Sequence, residues 1–151
     1  MPDPVGPAGA SDRRLLRPEG VHQPTTFYSH GIVVGNVVYT AGQAPHDADG
    51  RVLDPSDRIA HFRAAFENLA EVLRAGGAAF DDVARMTVLL RERDHIETLW
   101  EVAREFLADH RPAVTLAVVP GLADPQYLLE LDAIAVKEPA RSGARSGASR
   151  R

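Results

Sequence analysis

Two carboxylates stand two residues apart in an otherwise apolar run. Within Tyr127–Val136 (YLLELDAIAV), Glu130 and Asp132 are the only charged side chains. Strand side chains alternate between faces, so Leu128, Glu130, Asp132, Ile134 and Val136 share one face. Tyr127, Leu129, Leu131, Ala133 and Ala135 share the other. The second set is wholly apolar and must face a core. The first sets two acids among aliphatics, and reads either as a solvated sheet face or as the wall of a cleft. In a cleft, neighbours such as Leu128 and Ile134 disfavour the charged carboxylate and bring Glu130 toward the range of a general acid or base.

Other chemistries have less to build on. The six histidines, His22, His30, His46, His61, His95 and His110, show no metal-ligand spacing such as i, i+4 on one helix, so no metal site is expected. Aligning Asp47-Ala48-Asp49-Gly50 with a calcium loop puts Pro45 and Ser56 where the first and twelfth ligands belong. A plain turn is the better reading. Cysteine is absent, which excludes disulfides, thiolate sites and cysteine nucleophiles and fits a cytoplasmic protein. Only Ser29 and Ser56 lie inside the expected folded body, too few for a convincing Ser-His-Asp arrangement. No glycine-rich phosphate loop follows a strand.

The elements that must position these groups are legible from periodicity. Phe27–Val34 and Val37–Gly42 read as a hairpin around Gly35-Asn36, a pair that tolerates φ > 0. A first helix is expected over Pro55–Ala75, capped by Asp54. Its buried stripe is Ile59, Phe62, Phe66, Leu69, Val72 and Leu73, and Gly76-Gly77 ends it. Val83–Arg91 is a third strand. The second helix is His95–Ala108, with Asp94 and Glu97 at capping-box spacing. Ile96, Leu99, Ala103, Phe106 and Leu107 form its buried stripe, with Trp100 beside it. Ala113–Val119 and Tyr127–Val136 are the last strands, joined by the Pro120–Pro125 turn.

The order is ββαβαββ, an α+β mixed sheet with both helices on one face. One helical layer cannot cover both faces of a sheet that is apolar on both, so the bare face should pack on another copy of the chain. The chain length of 151 suits one domain. Residues 1–17 are expected to form a disordered arm, 18–138 the domain, and 139–151 a disordered basic tail. The chain carries −4 and the tail +4, so the remainder carries −8, which argues against a nucleic-acid partner. No run of about 18 apolar residues exists to span a membrane, and Met1–Ala10 does not read as a signal peptide.

Taken in order, Pro18-Glu19-Gly20-Val21, Tyr28-Ser29-His30, Val34-Gly35-Asn36, Ala41-Gly42-Gln43-Ala44-Pro45 and Glu130-Leu131-Asp132-Ala133-Ile134-Ala135-Val136 resemble the Rid family (reactive intermediate/imine deaminase, YjgF-like). Phe66-Glu67-Asn68-Leu69, Gly76-Gly77 and Asp81-Asp82-Val83 match too. The resemblance covers about Pro18 to Lys137. It implies a chorismate-mutase-like fold and a homotrimer with a central β-barrel and clefts between subunits. It also implies hydrolysis of small 2-imino or enamine acids to ketoacids and ammonia without metal or cofactor. Several members carry an old endoribonuclease label, which the acidic body here does not encourage.

Position by position, the resemblance implies that Glu130 orients water and that Tyr28 lies in the cleft. The family's Ser-Gly-Gln falls on Ala41-Gly42-Gln43, losing a hydroxyl, and a polar position early in the second helix falls on Trp100. The arginine that anchors the substrate carboxylate follows a Pro-Ala pair in the family. Here Pro112-Ala113 is followed by Val114 and Thr115, so the anchor is missing. Arg111 is near in sequence, but strand alternation and the following proline make it a poor replacement. A cleft without that cation suits an uncharged or larger small-molecule substrate. The alternative is a non-catalytic binder of a small apolar ligand or a partner.

Overall fold

The last strand, β6 (Leu129–Val136), lies in the middle of the sheet. The computed structural model describes residues 12–138. Its other strands are β1 (Arg13–Leu16), β2 (Gly31–Val34), β3 (Val37–Thr40), β4 (Val83–Leu90) and β5 (Ala113–Val118). Their order across the sheet is β1-β2-β3-β6-β4-β5, and every pairing is antiparallel except β4 with β5. A parallel pair needs a long crossover, supplied here by α2 (Ile96–Leu107).

Alternation along β6 falls as expected. Leu129, Leu131, Ala133 and Ala135 are buried while Glu130, Asp132 and Ile134 are half-buried. The buried row meets α1 (Arg58–Ala75), whose stripe of Phe62, Phe66, Leu69, Val72 and Leu73 joins it in the core. Phe66 stacks on Phe106 of α2 with ring centroids 5.1 Å apart, which locks the two helices together on one side of the sheet.

Several boundaries differ from expectation for local reasons. Asp57, not Asp54, caps α1, its side chain accepting from the Ala60 N–H at 3.1 Å. Asp54 accepts from the Ser56 N–H in the preceding turn, so the helix starts after Pro55. The Asp94/Glu97 capping box does not form. A 3-10 turn over Arg93–His95 leads into α2, and its cap residue His95 makes no side-chain cap bond. In the hairpin only Gly35 takes a positive φ, 59°. Strand pairing begins at Gly31, leaving Phe27 and Tyr28 exposed ahead of it.

The arm expected over residues 1–17 is corrected at its end. Arg13–Leu16 form β1, paired antiparallel with β2, and Leu16 is in the core. Residues 1–11 and the 139–151 tail lie outside the described residues. The observed order is therefore βββαβαββ.

Among the described residues, no helix covers the other sheet face. Its cross-strand row Leu15, Ile32, Tyr39 and Ile134 is apolar, and Tyr39 is 46 % exposed. Toward β4 and β5 the same face turns polar, with Arg85, Thr87, Asp132 and Thr115 side by side. Among the described residues, no helix is long and apolar enough to cross a membrane.

Candidate functional site

Gly42 and Glu130 meet because the chain beyond β3 continues along β6. The Gln43 N–H donates to the Leu131 carbonyl at 2.7 Å, and the Leu131 N–H returns to the Gln43 carbonyl at 3.1 Å. This isolated bridge brings Gly42 against the Glu130 side chain. A Cβ at residue 42 would fall 2.0 Å from Glu130 Oε1 and 2.8 Å from its Cδ, so only glycine admits the carboxylate in this position. Burial, then the charge of Asp132, raises the Glu130 carboxyl above its ordinary range. Burial raises Asp132 as well, partly offset by its hydrogen bond from Thr87 and by Arg85. Leu128, expected beside Glu130, instead packs against the helix-side core.

Around this pair lies a group of rings and amides. Tyr28 is 52 % exposed, its ring 6.5 Å from that of His30 in an edge-to-face arrangement. His30 is buried. Its Nε2 contacts the His22 carbonyl; a carbonyl only accepts, so Nε2 carries the proton and Nδ1 is free to accept. Gln43 Nε2 donates to that Nδ1 at 3.2 Å and to the Ala41 carbonyl at 3.2 Å. Gln43 is 2 % exposed. With its NH₂ turned inward, it ties the loop to the His30 ring and the Ala41 carbonyl.

Two further groups escaped sequence reasoning. The Tyr127 hydroxyl hydrogen-bonds His46 Nε2 across 81 residues of chain, with the rings edge-to-face at 5.2 Å. Tyr127 precedes β6 and is half-buried. Burial first, then the charges of Asp124 and Glu130, raise its phenol. Burial, followed by His22, lowers His46. No sequence signal joins these two rings.

Trp100, Val114 and Arg111 are elsewhere on the chain. In register, Val114 pairs with Met86 and Thr115 with Thr87. Met86 is core, so Val114 faces the helix side, while Thr115 faces the open side with Asp132. Thr115 accepts from Arg85 Nη2 at 2.8 Å. Val114 and Trp100, each 38 % exposed, line a cleft of about 380 Å³ between α2 and β5. Arg111 borders it too, but its Nη1 donates to the Ala108 and His110 carbonyls at 3.0 Å, covering the end of α2. Arg104 also lines the cleft. Its i, i+4 spacing from Trp100 was the available signal. Within one chain, the expected residues thus fall into an open-side group around Glu130 and a helix-side group around Val114.

The histidines set a pH response. His61 is buried in α1; its Nδ1–H donates to the Leu53 carbonyl at 3.0 Å and its Nε2 accepts the Leu128 N–H at 3.1 Å. Only the neutral ring makes both bonds. Burial lowers His61, His46 and His95 below the ordinary 6.5. Below that value the unfolded chain takes up protons that the folded chain refuses, so stability is full above it and declines as pH falls through it. The Tm is therefore expected to drop between about pH 7.5 and 6.0. The raised Glu130 and Asp132 act in the opposite sense, from their ordinary values of 4.5 and 3.8 upward. A Tm that holds level or rises as pH falls across this interval would contradict the assignment.

Comparison with known proteins gives the arrangement relatives. The family model described as Endoribonuclease L-PSP matches residues 20–137. A RutC family protein of Pyrococcus abyssi is 30% identical over 126 residues, covering 83% of this chain and 98% of its own. The 2-iminobutanoate/2-iminopropanoate deaminase of Mus musculus is 30% identical over 112 residues, 74% of this chain and 82% of its own. Among solved structures, a Thermotoga maritima protein superposes with a TM-score of 0.79 at 31% identity, covering 83% of this chain and 98% of that one. E. coli TdcF with bound serine gives 0.76 at 26%, covering 83% and 99%.

Proposed function

Because the chain belongs to the Endoribonuclease L-PSP family, the YjgF/RidA proteins, we propose that it acts on an imine, enamine or related carbonyl compound, water converting an imine or enamine to the carbonyl product and ammonia. The observation that carries this reading is Glu130, a half-buried carboxyl of raised affinity for protons, seated on Gly42. In this reading Glu130 takes a proton from the attacking water and returns it to the departing amine, with Tyr28 beside it. An imine carbon is already electrophilic, so the chemistry calls on no metal or cofactor. RNA is not the substrate in this reading, since the chain is acidic, at −4.

The reading includes a homotrimer closed around the open sheet faces into a barrel. The bare apolar row through Tyr39 and Ile134 supports it. Its clefts then join the Glu130 side of one subunit to the Trp100–Val114 side of the next, uniting two groups that one chain keeps apart. A second reading, a non-catalytic binding trimer, is favoured by Val114, which carries no charge at the position where the resemblance implies an arginine.

The test is turnover by a preparation whose sedimentation establishes three copies; a stable monomer at micromolar concentration overturns the cleft. Wild type is expected to hydrolyse 2-aminoacrylate or 2-iminopropionate poorly. Val114→Arg with Trp100→Asn, which clears space for the new side chain, should raise that activity about tenfold or more, the worth of one hydrogen-bonded charge. Efficient wild-type turnover of these substrates, abolished by Arg111→Ala, would show that Arg111 leaves the helix end to serve as anchor. A folded, trimeric double variant that stays inactive favours the binding protein.

A further inference from the structure

The cleft between α2 and β5 has a charge pattern of its own. Trp100, Arg104 and Leu107 follow one another on α2 at spacings of 4 and 3, which places them on one face, and Arg111, beyond the helix end, also borders the cleft. Val114 closes the opposite wall, and among the described residues no carboxylate lines the cleft. The two arginines are not equivalent. Arg111 is engaged with the Ala108 carbonyl at the α2 cap and with the His110 carbonyl just beyond it, and so lies at the negative pole of that helix. Arg104 takes part in none of the ion pairs among the described residues. The result is a guanidinium outside the ion pairs of the described residues, one helical turn from an exposed indole, in a cleft with apolar walls.

We propose that Arg104 is the anion anchor of this cleft and that the cleft takes a planar aromatic carboxylate, its carboxylate on Arg104 and its ring against Trp100. A guanidinium offers paired N–H donors matched to the two oxygens of a carboxylate. The indole supplies an apolar face for an aryl ring. Leu107 and Val114 exclude water from the ring, and the volume lies within the usual range of small-molecule sites. The cation missing at residue 114 is thus replaced from the helix, and the cleft selects a larger acid. Joined to the reading above, on which this last step rests, the substrate class is an aromatic 2-imino or enamine acid, released as the aromatic 2-oxo acid and ammonia on addition of water.

Trp100 is the only tryptophan in the chain, so its fluorescence reports on this cleft. The full-length protein is titrated with phenylacetate, with benzyl alcohol as the uncharged ring and acetate as the ringless acid. A saturable change with phenylacetate is expected, with benzyl alcohol and acetate at least about tenfold weaker. Arg104→Gln should weaken phenylacetate about tenfold or more, and Arg104→Lys should restore part of the affinity. Arg111→Gln should weaken it clearly less than Arg104→Gln does, and an equal or larger loss in Arg111→Gln overturns the assignment to Arg104. Phenylacetate and benzyl alcohol binding alike, an unchanged Arg104→Gln, or no saturable change overturns the proposal. Binding does not depend on catalysis. Loss of turnover in Glu130→Gln with no phenylacetate signal sinks the anchor alone, whereas Arg104-dependent binding without turnover of any imine sinks the hydrolase alone.

Discussion

Replacing Glu130 with glutamine is expected to lower imine turnover by about 10²–10⁴-fold, the usual contribution of a positioned acid–base group. The carboxyl is half-buried on a strand face that it shares with Asp132 and Ile134, and it holds its proton more tightly than usual because of burial and Asp132. Glutamine keeps the volume and the contact with Gly42 but cannot exchange a proton. Folding should be preserved or slightly improved, since the carboxylate at neutral pH opposes burial. Steady-state kinetics and thermal melts on the same preparation decide the matter. Turnover within a few-fold of wild type would leave Glu130 as a bystander, and the binding-protein reading would take its place.

Gly42→Ala is expected to reduce turnover about a hundredfold while leaving the chain folded. The new methyl would stand 2.0 Å from Glu130 Oε1, 2.8 Å from Cδ and 3.0 Å from Cγ. Something must move, and the glutamate is the softer partner, because the neighbouring backbone is held by both hydrogen bonds between Gln43 and Leu131. Displacing a reacting group by about 1 Å can cost 10²-fold. The informative readout is the split between kinetic constants: a fall in kcat with KM little changed places the loss in the chemical step. A melt lowered by many degrees would show instead that the loop gave way. Full activity would show that the carboxylate need not sit where it does.

The two variants act on one contact from opposite sides, and that contact spans 88 positions of the chain. Nothing in the neighbourhood of either residue foretells it. The resemblance singled out Gly42 and Glu130 separately; their meeting depends on the bridge between Gln43 and Leu131. The same holds for Tyr127 and His46. Val114 and Thr115, adjacent in sequence, are sent to opposite faces by the pleat of β5.

What the sequence determined by itself is local and periodic. The stripes of both helices, the wholly apolar face of Leu129, Leu131, Ala133 and Ala135, the Gly35 turn and the α+β class all follow from spacing, because side-chain direction repeats within a few residues of an element. Even the bare sheet face was legible, as an excess of apolar positions over what two helices could cover. Its limits appear where local signals compete. Asp54 and Asp57 are both able to cap, and only the geometry after Pro55 selects the second. Arg13–Leu16 has no alternation to announce a strand and becomes one because β2 offers an unpaired edge. Tertiary structure alone decided the strand order, the seat of Glu130 on Gly42, the inward turn of Gln43, the engagement of Arg111 with its own helix end and the freedom of Arg104. Each depends on groups brought together by hydrogen bonding and packing across many residues, and no local pattern encodes which distant partner a backbone edge or side chain will find.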